Sequence, residues 1–183
     1  MPKGSRRSPQ SARRASPGAE VRREDAAQCE ATDMKDPAEA ADAAQRRAER
    51  AGAALFARDR ASQTLGMRIT GMRAGWARVA MTVRADMVNG HAVCHGGIVF
   101  ALADSAFAFA CNSHNESTLA AAASIDFLAA AREGDELTAE ASELWRSRRN
   151  GLYEIIVSNQ RGERIALARG RSYRVDGQVV GGE

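Results

Sequence analysis

Apolar and polar residues along this chain change pattern several times. From Pro37 to about Arg60 the sequence is built from Ala, Glu, Gln and Arg, with Leu55 and Phe56 near the end. These are strong helix formers and Pro37 suits a first turn, so a helix is predicted over 37–62. A period of two follows. Leu65, Met67 and Ile69 alternate with more polar positions, and after Ala74-Gly75 the run Trp76 to Arg84 places Val79, Met81 and Val83 on one face. That is two strands joined by a short turn. Residues 85–94 read as a loop containing Asn89-Gly90. Ile98 to Cys111 is almost wholly apolar, a helix of about 20 Å, too short to cross a bilayer and too apolar for a surface. It is expected to be enclosed by the rest of the protein. Four further strands are predicted over Ala120–Leu128, Glu136–Trp145, Leu152–Asn159 and Arg164–Val175, with turns at Gly134-Asp135, Asn150-Gly151 and Arg161-Gly162. One apolar helix followed by a meander predicts an α+β fold, an antiparallel sheet of five to six strands curled around that helix.

The flanks differ in composition. Residues 1–36 are rich in Arg, Ala and Ser, with Met1, Val21 and Met34 as the large aliphatic residues, and are expected to be disordered. Met34 is an alternative start, which would make the preceding residues a dispensable or over-extended segment. The folded domain is expected over 63–177, with a C-terminal tail over 178–183. Of 183 residues 44% are hydrophobic, enough for a real core. With 26 basic and 23 acidic residues the net charge is +3, which does not indicate a nucleic-acid binder. Cys29, Cys94 and Cys111 are odd in number and fit no disulfide or zinc framework, so a reducing cytoplasm is the expected compartment. No apolar run is long enough for a transmembrane helix, and none follows the Arg-rich start as a secretory signal would require.

Asp104 is the anomaly, a carboxylate in an otherwise apolar helix. Burial without partners is costly and raises a carboxyl pKa. A pairing Arg or a backbone cap would make Asp104 structural; without one it is a candidate catalytic group. The helix opens with His95-Gly96-Gly97, where unpaired N–H groups and the helix dipole favour a negative oxygen, such as one developing on a carbonyl. Asp104 lies eight residues after Gly96, about 12 Å along one helix. One helix cannot bring both groups to one carbonyl. If both are catalytic, Asp104 comes from a second subunit and the site belongs to a homodimer.

The run Asn89-Gly90-His91-Ala92-Val93-Cys94-His95-Gly96-Gly97-Ile98-Val99-Phe100-Ala101-Leu102-Ala103-Asp104 resembles the signature of PaaI-type thioesterases, hotdog-fold enzymes of phenylacetate degradation that hydrolyse aryl-acyl-CoA thioesters. Ser105 to Ser113, Ser124-Ile125-Asp126-Phe127-Leu128, Gly134-Asp135, Tyr153-Glu154-Ile155 and Gly170-Arg171-Ser172 extend the resemblance, which covers roughly residues 45–180. It implies a hotdog fold and roles for matching positions. Asp104 would be the nucleophile or the general base on water, Gly96 the oxyanion N–H, Asn89 a positioner of carbonyl or water, and His95 a support for the loop. It also implies dimers paired into tetramers. One departure stands out: Ala129-Ala130 replace the family's usual Arg-Pro after Phe127-Leu128, with Arg132 nearby.

His91, Cys94 and His95 lack the spacing of a zinc site, and no metal or separate cofactor is expected. Cys94 reads as a small packed residue and Cys111 as an inert one. Arg146, Arg148 and Arg149 beside Trp145 are candidates for the CoA phosphates, or else a solvated turn. Gly97 is a candidate beside Gly96 for binding the carbonyl oxygen, and Phe100, Phe107, Phe109 and Met87 are candidates for the acyl end, or else plain core. The expected activity is hydrolysis of an acyl-CoA, (hydroxy)phenylacetyl-CoA or a related aryl-acyl-CoA. A non-catalytic acyl-CoA-binding hotdog protein and a hotdog enoyl-CoA hydratase are the alternatives. The hydratase chemistry pairs an Asp with a His, and no His follows Asp104 at close helical spacing.

Overall fold

The computed structural model describes residues 36–181. The expectations for residues 1–35, including the alternative start, lie outside the described residues. Asp36 caps the first helix, its Oδ1 accepting from the N–H of Ala38 at 3.0 Å, and α1 runs Pro37–Phe56. The helix stops there, short of the expected 62. Asp59 begins a second, short helix, α2 (Arg60–Thr64), by accepting from the Ser62 N–H. The turn lets Phe56 fold back onto Phe109, with ring centroids 6.1 Å apart. The buried face of α1 is small (Ala48, Ala51, Gly52), and the Met72 side chain rests directly on Gly52.

Six strands follow among the described residues: β1 (Arg68–Arg73), β2 (Trp76–Thr82), β3 (Thr118–Phe127), β4 (Glu136–Arg146), β5 (Asn150–Asn159) and β6 (Arg164–Arg174). They form one antiparallel sheet in the order β1-β2-β4-β5-β6-β3. The long helix α3 (Gly96–Asn112) enters between β2 and β3 and lies in the concave side of the sheet. Alternation decides the inner face: Ala77, Val79 and Met81 on β2, Leu137, Ala139 and Ala141 on β4, and Tyr153, Ile155 and Val157 on β5 are all buried. Val99, Leu102, Ala103, Ala106, Phe107, Phe109 and Ala110 of α3 are buried against them. A sheet wrapped around a single helix is the hotdog fold. No helix among the described residues is long and apolar enough to cross a membrane.

Two expectations need correction. The helix α3 is not fully enclosed within one protomer: Gly97 is exposed and Phe100, Ala101, Asp104 and Ala108, at helical spacing, are only partly buried. The segment expected as a tail from 178 packs back as far as its backbone has partners. Val179 is buried, and the amide of Asn115 takes both the N–H and the C=O of Val180, at 2.8 and 3.2 Å.

Phe107 is fully buried, tilted against Tyr153 at 5.2 Å, and its ring occupies the space a Cβ would need on Gly170, at 2.8 Å. Rings this tightly held have nowhere to move. Gly170→Ala is expected to destabilise the fold by about 1–3 kcal/mol, the range for overpacking a well-filled core, read from the midpoint of urea unfolding.

Candidate active site

The loop before α3 is fixed from three sides. Met87 accepts from the His95 N–H, Ala131 accepts from the Cys94 N–H, and Val88 bridges Cys94. The turn holding Ala131 is itself braced by buried Asp135, which accepts from the Arg132 N–H and from Gln160 and Arg161. Those donors hold its carboxyl well below the usual carboxylate range, at about 2. Asn89 sits in the same loop. Its Oδ1 accepts from the His91 N–H at 2.9 Å, and its side-chain N–H group has no acceptor among the described residues. His91 is exposed.

His95 caps α3. Its Nδ1 accepts from the Gly97 N–H at 2.9 Å, which requires the Nε2–H tautomer. The cap decides which donor is left. Gly97, a candidate for the carbonyl, spends its N–H on His95. Gly96 is the first residue of α3, and its N–H has no acceptor among the described residues. It opens on an apolar groove of about 430 Å³ lined by Gly96, Gly97, Phe100, Ala123, Ser124, Ile125 and Phe127. The Phe127 ring lies 3.1 Å from where a Cβ on Gly96 would sit, so a larger residue would push into the ring. At the helix start the positive end of the dipole and a free N–H coincide, an arrangement that favours a negative oxygen.

Asp104 stands two turns further along α3, half-buried on the open stripe. None of the described residues hydrogen-bonds its carboxylate. Burial, and to a lesser degree the Asp59 carboxylate, push its pKa above the ordinary carboxylate value. The pairing Arg or backbone cap that would make it structural is absent among the described residues.

Other candidates lie elsewhere. Phe107 is core, so Phe100 is the aromatic of α3 that faces the groove. Arg146, Arg148 and Arg149 are exposed on the β4–β5 hairpin. Arg146 pairs with Glu116 at 3.0 Å, Arg149 donates to the Tyr173 hydroxyl at 3.4 Å, and Arg148, Arg149 and Arg174 line a small hollow. This hairpin neighbours the Leu119 end of β3, whereas Gly96 neighbours Phe127, about 26 Å away along the strand. The three arginines and Gly96 therefore do not meet within one protomer. His91, Cys94 and His95 do not converge on a metal site, and no cluster of metal-ligating side chains occurs among the described residues. Burial pushes the Cys94 thiol up and the Cys111 thiol to about 12, so neither is a ready nucleophile.

Two features went unread in the sequence. Phe127 was visible in a motif but its place over Gly96 depends on a strand thirty residues away. The polar chain Asp59–Ser62–Ser105 beside Asp104 had a local signal, since Asp three residues before Ser62 is an N-cap pattern that also breaks the helix.

Comparison with known proteins agrees with this geometry. Residues 91–166 match the thioesterase superfamily model. The acyl-coenzyme A thioesterase PaaI of Escherichia coli (strain K12) is 44% identical over 128 residues, 70% of this chain and 91% of that protein. The solved E. coli PaaI protein, from the phenylacetic acid degradation operon, superposes with a TM-score of 0.73 at 42% identity, covering 74% of this chain and 98% of that one. A hypothetical thioesterase of Streptococcus pneumoniae TIGR4, solved with coenzyme A, gives 0.59 at 25% identity, over 61% of this chain and 87% of that one. With the fold, the motif and these relatives in agreement, this chain belongs to the PaaI-type hotdog acyl-CoA thioesterases.

Proposed function

We propose that the enzyme hydrolyses an aryl-acyl-CoA, (hydroxy)phenylacetyl-CoA or a close relative, at a site shared by two subunits. The observation that carries this reading is the separation on α3 of an open donor, Gly96, from an unpartnered carboxylate, Asp104, by about 12 Å. A second copy completes the site. The β3 edge away from β6 has no partner strand among the described residues, Leu119, Phe127 and Leu128 on or beside it are more than half exposed, and the open stripe of α3 adjoins the same groove. Antiparallel pairing of two β3 edges places Asp104 of one subunit toward Gly96 of the other. It also carries each β4–β5 hairpin, with Arg146, Arg148 and Arg149, toward the far subunit's groove, where CoA phosphates need cations. Exposed Trp145, Leu152 and Tyr173 on the outer sheet face fit a further contact between dimers, giving a tetramer.

The carbonyl oxygen receives the Gly96 N–H. Asn89 offers a second donor, and His95 holds the helix start. Asp104 of the partner subunit either takes a proton from water as it adds to the carbonyl, or attacks the carbonyl itself to form an acyl–Asp104 anhydride that water then opens to the free acid. In both routes the C–S bond breaks and CoA leaves as its thiolate. A thioester is already activated for acyl transfer, so this reading requires no metal or cofactor. Phe100 and Phe127 favour a flat aromatic acyl group, and the E. coli relative's phenylacetic acid operon supports the same choice. The unpaired buried thiols of Cys94 and Cys111 support a cytoplasmic setting.

Free thiol release from a panel of acyl-CoAs tests the reading, with phenylacetyl-CoA expected among the best substrates. Release from none of them would end it. Asp104→Asn is expected to abolish turnover. Gly96→Pro deletes the donor at a first helical position whose backbone suits proline, while its ring presses on Phe127, and should cost at least roughly 10²–10³ in kcat. Refolding the two variants together should restore about a quarter of wild-type activity, because half the dimers are mixed and each has one intact site. Mixed dimers without activity would rule out the shared site. The acid limb of kcat/KM should have its midpoint above the ordinary carboxylate value of about 3.9, with activity lost as pH falls through it. Oxygen-18 found in Asp104 after a single turnover in labelled water would identify it as the nucleophile, through an anhydride opened at the Asp carbon.

A further inference from the structure

One side of α1 is basic where the helix passes the C-terminal segment. Arg46, Arg47 and Arg50 fall within an arc of about 100° around its axis. Arg46 and Arg50 stand at i,i+4, a spacing at which like charges weaken a helix. The acids of α1 do not fill the gap between them. Asp42 accepts from Arg46 one turn earlier, and Glu49 accepts from Gln45 at 2.7 Å on the side that faces Thr70 and Gly71. The three arginines, with Asn115, Gln178 and Val180, enclose a hollow of about 550 Å³. Its opposite wall is anchored. Asn115 holds both backbone groups of Val180, the Gly177 carbonyl accepts from the Ser117 N–H at 3.2 Å, and the Val179 carbonyl accepts from Arg58 at 3.1 Å. That wall keeps its place because its backbone groups are satisfied by the rest of the fold.

No carboxylate among the described residues lines the hollow, and no aromatic ring does. Such a lining selects for negative charge and offers little to an acyl chain. Arginine meets phosphate oxygens with paired N–H donors, better than a point charge would. The volume lies in the range of small-molecule sites and is far more than one inorganic anion fills. Asn115 lies just past the end of α3, so the hollow sits at the opposite end of that helix from Gly96, about 24 Å along its axis. We propose that this hollow is a separate anion site that takes the phosphomonoester of a nucleotide-sized ligand. Two sources share that chemistry, a free nucleotide and the ribose phosphate at the nucleotide end of an acyl-CoA. The hollow at Arg148, Arg149 and Arg174 opens at Val175 and Asp176, just before Gln178 on the same segment, so cations stand at both ends of that segment.

Calorimetric titration of the full-length protein with adenosine 3′,5′-bisphosphate tests this. Saturable binding is expected, weakening as salt is raised. Arg46→Ala combined with Arg47→Ala should weaken it at least about tenfold, the loss of one charge-assisted contact or more. Alanine favours helix at both exposed positions, so the urea midpoint should not fall. Arg46→Lys with Arg47→Lys keeps the charge but loses the paired donors, and its affinity should lie between the two. Arg148→Ala with Arg149→Ala separates the two hollows. Affinity lost in that hairpin variant but kept in the α1 variant overturns the proposal, as does a wild type without saturable binding. The source is then read from KM. A rise for phenylacetyl-CoA in the α1 variant, absent for the dephospho-CoA thioester, assigns the site to the substrate's own nucleotide. An unchanged KM with the bisphosphate affinity lost assigns it to a free nucleotide. The titration needs no turnover, so its failure and that of the thioesterase reading are told apart.

Discussion

Removing α3 from water is the constraint on which the rest of this protein depends. Its 17 residues present apolar side chains on nearly every side. A helix with one apolar stripe needs one covering layer, but this one needs a wrapper, and a single sheet can supply that only by curling. Six antiparallel strands do so, with alternating Ala, Val, Leu and Ile on the inner face and close approaches such as Phe107 against Gly170. A sheet with two edges still leaves a strip of helix uncovered. On that strip sit Gly97, Phe100, Ala101 and Asp104. The candidate site lies where the covering stops.

Much of this was legible in the chain. The apolar run of α3, the period of two in the strands and the Gly-containing turns are local signals, and each survives as an element close to its expected bounds. Asp104 stood out for the same reason, since a charge among apolar neighbours needs no partner to be noticed. What failed to show was apposition between distant segments. Phe100 and Phe107 are nearly two helical turns apart, on nearly the same face, and look alike in sequence; only the sheet around them sends one into the core and the other to the groove. Arg146, Arg148 and Arg149 were visible as a basic run, but nothing local says that their hairpin lies at the opposite end of β3 from Gly96. The break at Ala57–Asp59 was masked by flanking helix formers, although Asp59 carried an N-cap signal.

The start of α3 shows how a cap can also select. A helix N-terminus offers several unpaired N–H groups, and a substrate oxygen could settle on more than one. His95 removes Gly97 from that set and leaves Gly96 facing the groove, with Phe127 packed against it. Glycine at 96 is then required by closeness rather than by backbone freedom. The loop that sets this geometry is held through Met87, Ala131 and Asp135, so residues far from any substrate determine where the donor points.

The outer edge of β3 has a consequence beyond catalysis. Ten residues of strand, alanine-rich in the middle and apolar toward both ends, carry backbone donors and acceptors with no proline or charged gatekeeper until Asp126. Such an edge is a template for any extended chain. If two such edges pair as proposed, self-recognition of a newly folded protomer competes with fibrous or mispaired association, and dilution prolongs the wait. Dimerisation would then protect the proteome as well as complete a site, and the concentration of the enzyme would enter its own folding yield.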